Sequence, residues 1–157
     1  MKQYFHLTPE AFELMTKHFP GAMLALLLTT PFAVPAQNKP IDFNPKMPFS
    51  NGFVAGNTLY VAGQQGPDDS GKVVGTTIEF QTERTIAAIK SVVEKAGFKM
   101  TDLVNVTVYV TDLNDVPKMN EVYKRLMPNP KPARATVKVA GLIGDAKIEI
   151  SAVAVKQ

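Results

Sequence analysis

Val104-Asn105-Val106-Thr107-Val108-Tyr109-Val110 alternates valine with a bulkier or more polar residue at every step. A period of two predicts a strand, with Val104, Val106, Val108 and Val110 on one face and Asn105, Thr107 and Tyr109 on the other. Upstream of it, Ile86, Ile89, Val93 and Ala96 recur at spacings of three and four, one apolar stripe along a helix. Thr76 and Glu79 predict a capping box at the helix start, and Gly97 predicts its stop. Downstream, Asn114 or Asp115 caps a second helix, with Pro117 in its first turn and Met119, Val122, Tyr123 and Leu126 along its apolar face.

Farther out, Phe53-Val54-Ala55 and Thr58-Leu59-Tyr60-Val61-Ala62 flank Gly56-Asn57, a hairpin signal. Prolines at 128, 130 and 132 make Met127–Pro132 a stiff, extended connector. Ala135–Val139 and Lys147–Val155 supply the remaining strands. The order β-β-α-β-α-β-β predicts an α+β fold, a single sheet with two helices on one face. In the last strand Ile148, Ile150, Ala152 and Ala154 fill one side, yet Val153 and Val155 lie on the other. Two helices cannot cover both faces, so a partner subunit is expected on the second.

The chain has 157 residues, 45% hydrophobic and 20% charged, with a net charge of +3, enough for one core-bearing domain. That charge is small and dispersed, which argues against a nucleic-acid partner. With no cysteine, disulfides, thiolate nucleophiles, iron–sulfur clusters and thiolate-bound zinc are excluded. The two histidines, His6 and His18, precede the domain. Its chemistry therefore falls to Arg, Lys, Asp, Glu, Tyr, Ser, Thr and the backbone.

Between Pro20 and Pro35 the chain carries no charge; Lys17 and His18 precede this run and Val34-Pro35-Ala36 closes it. This pattern predicts a signal peptide over 1–36, with Met15 a candidate start, and a periplasmic or secreted product. The run falls short of the ~20 residues of a membrane span, so no stable membrane association is expected after cleavage. The competing reading is an N-terminal extension on a cytoplasmic protein. Residues 37–47 read as an extended arm and 48–157 as the domain.

Several stretches, in order, carry a resemblance. They are Pro48-Phe49-Ser50, Leu59-Tyr60-Val61-Ala62-Gly63-Gln64, Gln81-Thr82 and Val106-Thr107-Val108-Tyr109-Val110-Thr111-Asp112-Leu113. Met119-Asn120-Glu121-Val122-Tyr123, Pro132-Ala133-Arg134-Ala135-Thr136-Val137 and Ile148-Glu149-Ile150 continue it. Together they resemble the RidA (YjgF-type) family, formerly labelled endoribonuclease L-PSP, over essentially all of 48–156.

The resemblance implies a chorismate-mutase-like fold, a homotrimer and sites in clefts between subunits. It implies hydrolysis of 2-imino and enamine acids to 2-oxo acids and ammonium, with no metal or organic cofactor. By the same resemblance Arg134 grips the substrate carboxylate and Glu149 positions or activates the attacking water. Gly63 and Asn120 line the pocket, and the backbone of Thr136 contacts the ligand. Three positions depart from the family pattern. Phe49 stands where tyrosine is frequent, Ala62 where serine is frequent, and Ser151 in place of a second acid. The resulting loss of hydroxyls keeps a second reading open, a non-catalytic protein that binds small carboxylates.

The residues themselves allow the same chemistry and its bland alternative. Arg134 follows the stiff connector, and its planar fork suits a carboxylate; a solvated surface arginine fits the same sequence. Glu149 lies between Ile148 and Ile150, so it points away from the helix-packed core. There it serves as a base or as one arm of an interface ion pair. Tyr60, Tyr109 and Tyr123 are expected to pack with their hydroxyls reaching water. A ribonuclease would need a basic groove with stacking aromatics, which the dispersed charges do not form.

Overall fold

A computed structural model describes residues 38–66, 73 and 77–156, all within the compact unit spanning 35–157. The expected signal segment and the Thr76 half of the expected capping box lie outside the described residues. The elements are β1 (Lys39–Ile41), β2 (Gly52–Ala55), β3 (Thr58–Gln64), α1 (Ile78–Lys95), β4 (Leu103–Val110), α2 (Val116–Leu126), β5 (Ala133–Lys138) and β6 (Ile148–Val155). They build one six-stranded sheet in the order β1-β2-β3-β6-β4-β5. All neighbours are antiparallel except β4 and β5, which run parallel and are joined through α2. The architecture is the expected α+β one, with an added short strand, β1, inside the arm read as extended.

Both helices cover one sheet face. Ile86, Ile89 and Val93 of α1 and Met119 and Tyr123 of α2 join Val106, Val108, Val110, Ile148 and Ile150 in one buried cluster. The stripes formed as the 3.6-residue period requires, except that Leu126 stays exposed. The start of α1 falls one residue later than the capping-box reading: Thr77 is the N-cap, its hydroxyl accepting from the Phe80 amide at 3.3 Å. Gly97 does end the helix, at φ +76°. Its amide donates to Glu94 O and that of Phe98 to Val93 O, the paired closure that a left-handed residue after a helix allows.

Ahead of α2 the cap differs in kind. Asp112 Oδ1 accepts from the Asn114 amide and holds a short turn over Leu113–Asp115. Asp115 then enters the helix without a side-chain capping bond.

The strand that opened the sequence reading carries one correction. Val104 is 47% exposed, on the side opposite Val106, Val108 and Val110. A register shift between Leu103 and Asn105 against β6 inserts one residue there, and an inserted residue moves everything before it to the other face. Leu103 takes the buried place instead. In β6 the alternation is complete, with Ile148, Ile150, Ala152 and Ala154 buried and their neighbours partly exposed. The uncovered face carries Phe53 and Tyr60, both well exposed, beside Val153 and Val155.

Candidate functional site

Arg134 is the second residue of β5, an edge strand. In parallel pairing it lies opposite Val106, and Thr136 opposite Val108. Both valines are buried beneath the helices, so Arg134 and Thr136 belong to the helix-covered side. There α2 meets the guanidinium. Arg134 Nη2 donates to Asn120 Oδ1 at 2.8 Å, and Arg134 Cζ stands 4.4 Å from the centre of the Tyr123 ring. Asn120 and Tyr123 are three apart on a helix and so share a face. One hydrogen bond and one ring thus fix the plane of the fork, leaving most of its five donors free for a ligand. The hollow beside it, about 460 Å³, is lined by Asn120, Tyr123, Lys124, Lys131, Pro132 and Arg134.

Tyr123 departs from the expectation for the tyrosines. It is only 5% exposed, and its hydroxyl is buried without a hydrogen-bond partner. Burial raises the phenol pKa above its ordinary value, against the opposing pull of the Arg134 cation. The Thr136 hydroxyl is likewise buried and unpartnered.

Glu149 occupies the other face. It pairs with Tyr109 across β4, while Ile148 and Ile150 on either side of it are buried. Two residues of β3 and the loop after it hold its carboxylate. Gln65 Nε2 donates to Glu149 Oε2 at 3.0 Å. Gly63 lies where β3 shifts register against β6, and a Cβ there would fall 2.2 Å from Glu149 Oε1. Glycine is thus required for this carboxylate position, by close approach rather than by backbone conformation.

Of the residues expected to form one site, the chain assembles two groups. Arg134 meets Asn120 on the helix side, with Thr136 on the same face; Gly63 meets Glu149 on the open side. A single chain does not bring the guanidinium and the carboxylate into one hollow, because the sheet stands between them. Among the described residues neither makes an ion pair within the chain. Phe49 lies 52% exposed between β1 and β2, outside the hollow beside Arg134. Another hollow, about 550 Å³ and floored by Ile86, Phe98, Met100 and Leu126, touches none of these residues. Among the described residues no three His, Asp or Glu side chains converge as a metal site would need.

Two contributions were not read from the sequence, Tyr123 as the platform for Arg134 and Glu149 as the partner of Gln65, a glutamine expected to hydrogen-bond only at the strand end. The first carried a signal, since Tyr123 follows Asn120 by three residues on a predicted helix. The second carried none, because its contact joins positions 84 apart.

Residues 40–156 match the family model described as Endoribonuclease L-PSP. A RutC family protein of Pyrococcus abyssi is 45% identical over 70% of this chain and 87% of its own length. A 2-iminobutanoate/2-iminopropanoate deaminase of the mite Dermatophagoides farinae is 36% identical over 74% of this chain and 91% of its own length. Among solved structures, RidA from an Antarctic Psychrobacter superposes with a TM-score of 0.70 at 31% identity, covering 75% of this chain and 99% of that one.

Proposed function

Since the chain belongs to the RidA (YjgF-type) family, we propose that it hydrolyses 2-imino acids, and the enamines that tautomerise to them, to 2-oxo acids and ammonium. The observation that carries this reading is Arg134, a guanidinium held rigidly by Asn120 and Tyr123 yet unneutralised by any carboxylate among the described residues. Such a fork takes a substrate carboxylate by paired, charge-assisted bonds. Relatives named as deaminases support the reaction class.

The substrate carboxylate seats on Arg134, which fixes the adjacent C=N carbon. Glu149 takes a proton from water as the oxygen attacks that carbon, and the C=N electron pair moves to nitrogen. Glu149 then gives that proton to the nitrogen of the tetrahedral adduct. As the adduct hydroxyl passes its own proton through Glu149 to nitrogen, a C=O bond forms, the C–N bond breaks and ammonia leaves, taking a solvent proton to become ammonium. A positioned base of this kind contributes about 10²- to 10⁴-fold, which suits an already electrophilic imine.

Because Arg134 and Glu149 lie on opposite faces, the reading needs two copies of the chain. The open face of one copy, with Glu149, meets the β5 edge of the next, with Arg134, and a homotrimer closes such head-to-tail contacts without leaving an open end. The exposed Phe53 and Tyr60 on that open face suit an interface.

The test is ammonium release from 2-aminoacrylate generated in situ by a dehydratase. Arg134→Ala and Glu149→Gln should each reduce it by roughly 10²-fold or more. Dissociating and reassembling the two variants together should restore part of the lost activity, since mixed assemblies contain sites with both native residues. Release no faster than in buffer ends the deaminase reading. Variants that never complement end the two-copy site.

A second reading rests on Phe49 and Ala62, which remove hydroxyls from positions where the family often has them. It is a carboxylate-binding protein without turnover, distinguished by Arg134-dependent binding of 2-oxobutanoate in the absence of catalysis. Export through the N-terminal segment is a separate proposal, checked by mass spectrometry of the mature N-terminus in fractionated cells.

A further inference from the structure

Two adjacent glutamines at the end of β3 spend their amides differently. Gln64 Nε2 turns back on its own strand, donating to Ala62 O at 3.2 Å and Gly63 O at 3.3 Å. This is the ordinary local use of an amide at a strand end. Gln65 Nε2 instead crosses to β6 and donates to Glu149 Oε2 at 3.0 Å. An ionised carboxylate only accepts, so the amide must present its N–H side. The second oxygen, Oε1, lies over Gly63 and accepts no hydrogen bond from the described residues.

We propose that Gln65 is a positioning residue for Glu149: it occupies Oε2 and thereby leaves Oε1, the oxygen above Gly63, to take the proton from water. The inference rests on the reading of Glu149 as the base and deepens it by assigning the reacting oxygen. The division of labour follows from geometry. A glutamate on an open sheet face has three rotatable bonds, and an unanchored carboxylate would present either oxygen in many orientations. Gln65 pins one end and the missing side chain of Gly63 admits the other. The carboxylate then reaches the reaction in a single pose, which is where positioned catalysis gains its rate. Gln65 makes no contact with substrate in this scheme; it acts only through Glu149.

The experiment compares Gln65→Met, which keeps length and bulk but has no N–H, with Gln65→Lys, which again offers an N–H donor at that reach. Steady-state rates on in situ 2-aminoacrylate are measured beside Glu149→Gln. The expected result is a kcat about tenfold lower for Gln65→Met with KM changed less than twofold, and recovery to within about threefold of wild type in Gln65→Lys. Gln65→Ala gives the same comparison if the methionine variant does not fold. Unchanged kcat in the donor-less variants, with Glu149→Gln inactive, overturns the role of Gln65 and leaves the base assignment standing. An active Glu149→Gln overturns the base assignment itself. Equal losses in the methionine and lysine variants, with kcat and KM moving together, would make Gln65 a structural residue only.

Discussion

The two halves of the candidate site are built by opposite means. On the helix side, Arg134 is held by side chains, a ring beneath its guanidinium and an amide oxygen beside it, both from α2. On the open side, Glu149 is admitted by an absence, the missing Cβ of Gly63, and pinned by one amide. The first half is local, since β4, α2 and β5 form one consecutive unit. The second joins β3 to β6 across more than eighty residues. With the sheet between them, the Arg134 half and the Glu149 half can be damaged separately, and under the proposed function each kind of damage should leave a different kinetic mark.

The largest effect is expected at Gly63. In Gly63→Ala the new Cβ would sit 2.2 Å from Glu149 Oε1, so the carboxylate has to swing away. That should cost about 10²- to 10⁴-fold in kcat, the full range of positioned acid–base help. KM and carboxylate binding should remain near wild type. A Gly63→Ala enzyme with normal kcat would show that the open-side pose of Glu149 is not the reactive one.

A smaller effect of the opposite kind is expected at Tyr123. Tyr123→Leu removes the ring and should raise KM by roughly 3- to 30-fold, as befits a partly desolvated cation–ring contact, with kcat little changed. Tyr123→Phe keeps the ring and should leave KM alone. If both variants behave alike, the ring is not what orients Arg134.

The smallest effects concern stability. The Tyr123 hydroxyl is buried without a partner, so Tyr123→Phe should raise Tm by a few degrees, corresponding to about 1 kcal/mol. The phenol pKa is raised in the folded chain, chiefly by burial. Its contribution is therefore whole below the unfolded value of about 10 and is lost as pH climbs from there through the folded value. Wild-type Tm should fall in that alkaline window, and Tyr123→Phe should fall less steeply. Parallel curves for the two proteins would rule this out.

What could be read in the sequence follows the same division. The inward rows of α1 and β6 were legible because each packs against one continuous core, so apolar residues repeat at the period of the element. Val104 was misplaced because a one-residue insertion in the ladder leaves no trace in a run of valines. The side taken by Arg134 was not legible for another reason. Ala133–Lys138 alternates apolar Ala133, Ala135 and Val137 with polar Arg134, Thr136 and Lys138, a pattern that by itself turns Arg134 away from the core. β5 is an edge strand with little burial on either face, and only its parallel register with β4 places Arg134 on the helix side. Residue roles at Arg134, Glu149, Gly63 and Asn120 came from motif resemblance; the structure brings Arg134 to Asn120 and Glu149 to Gly63. The separation of those pairs could not be read, since it depends on which neighbour each strand has.

Strand order carries a consequence for biosynthesis. β6 is the last of the described strands, yet it fills the gap between β3 and β4. As the chain emerges from the ribosome, the hairpin of β2 and β3 and the unit of β4, α2 and β5 both appear with one long edge unsatisfied. Neither can close until residues 148–155 follow. For that interval the nascent polypeptide presents two sticky borders, a natural substrate for a holding chaperone. A product terminated before β6 would lack Glu149 and remain an aggregation hazard.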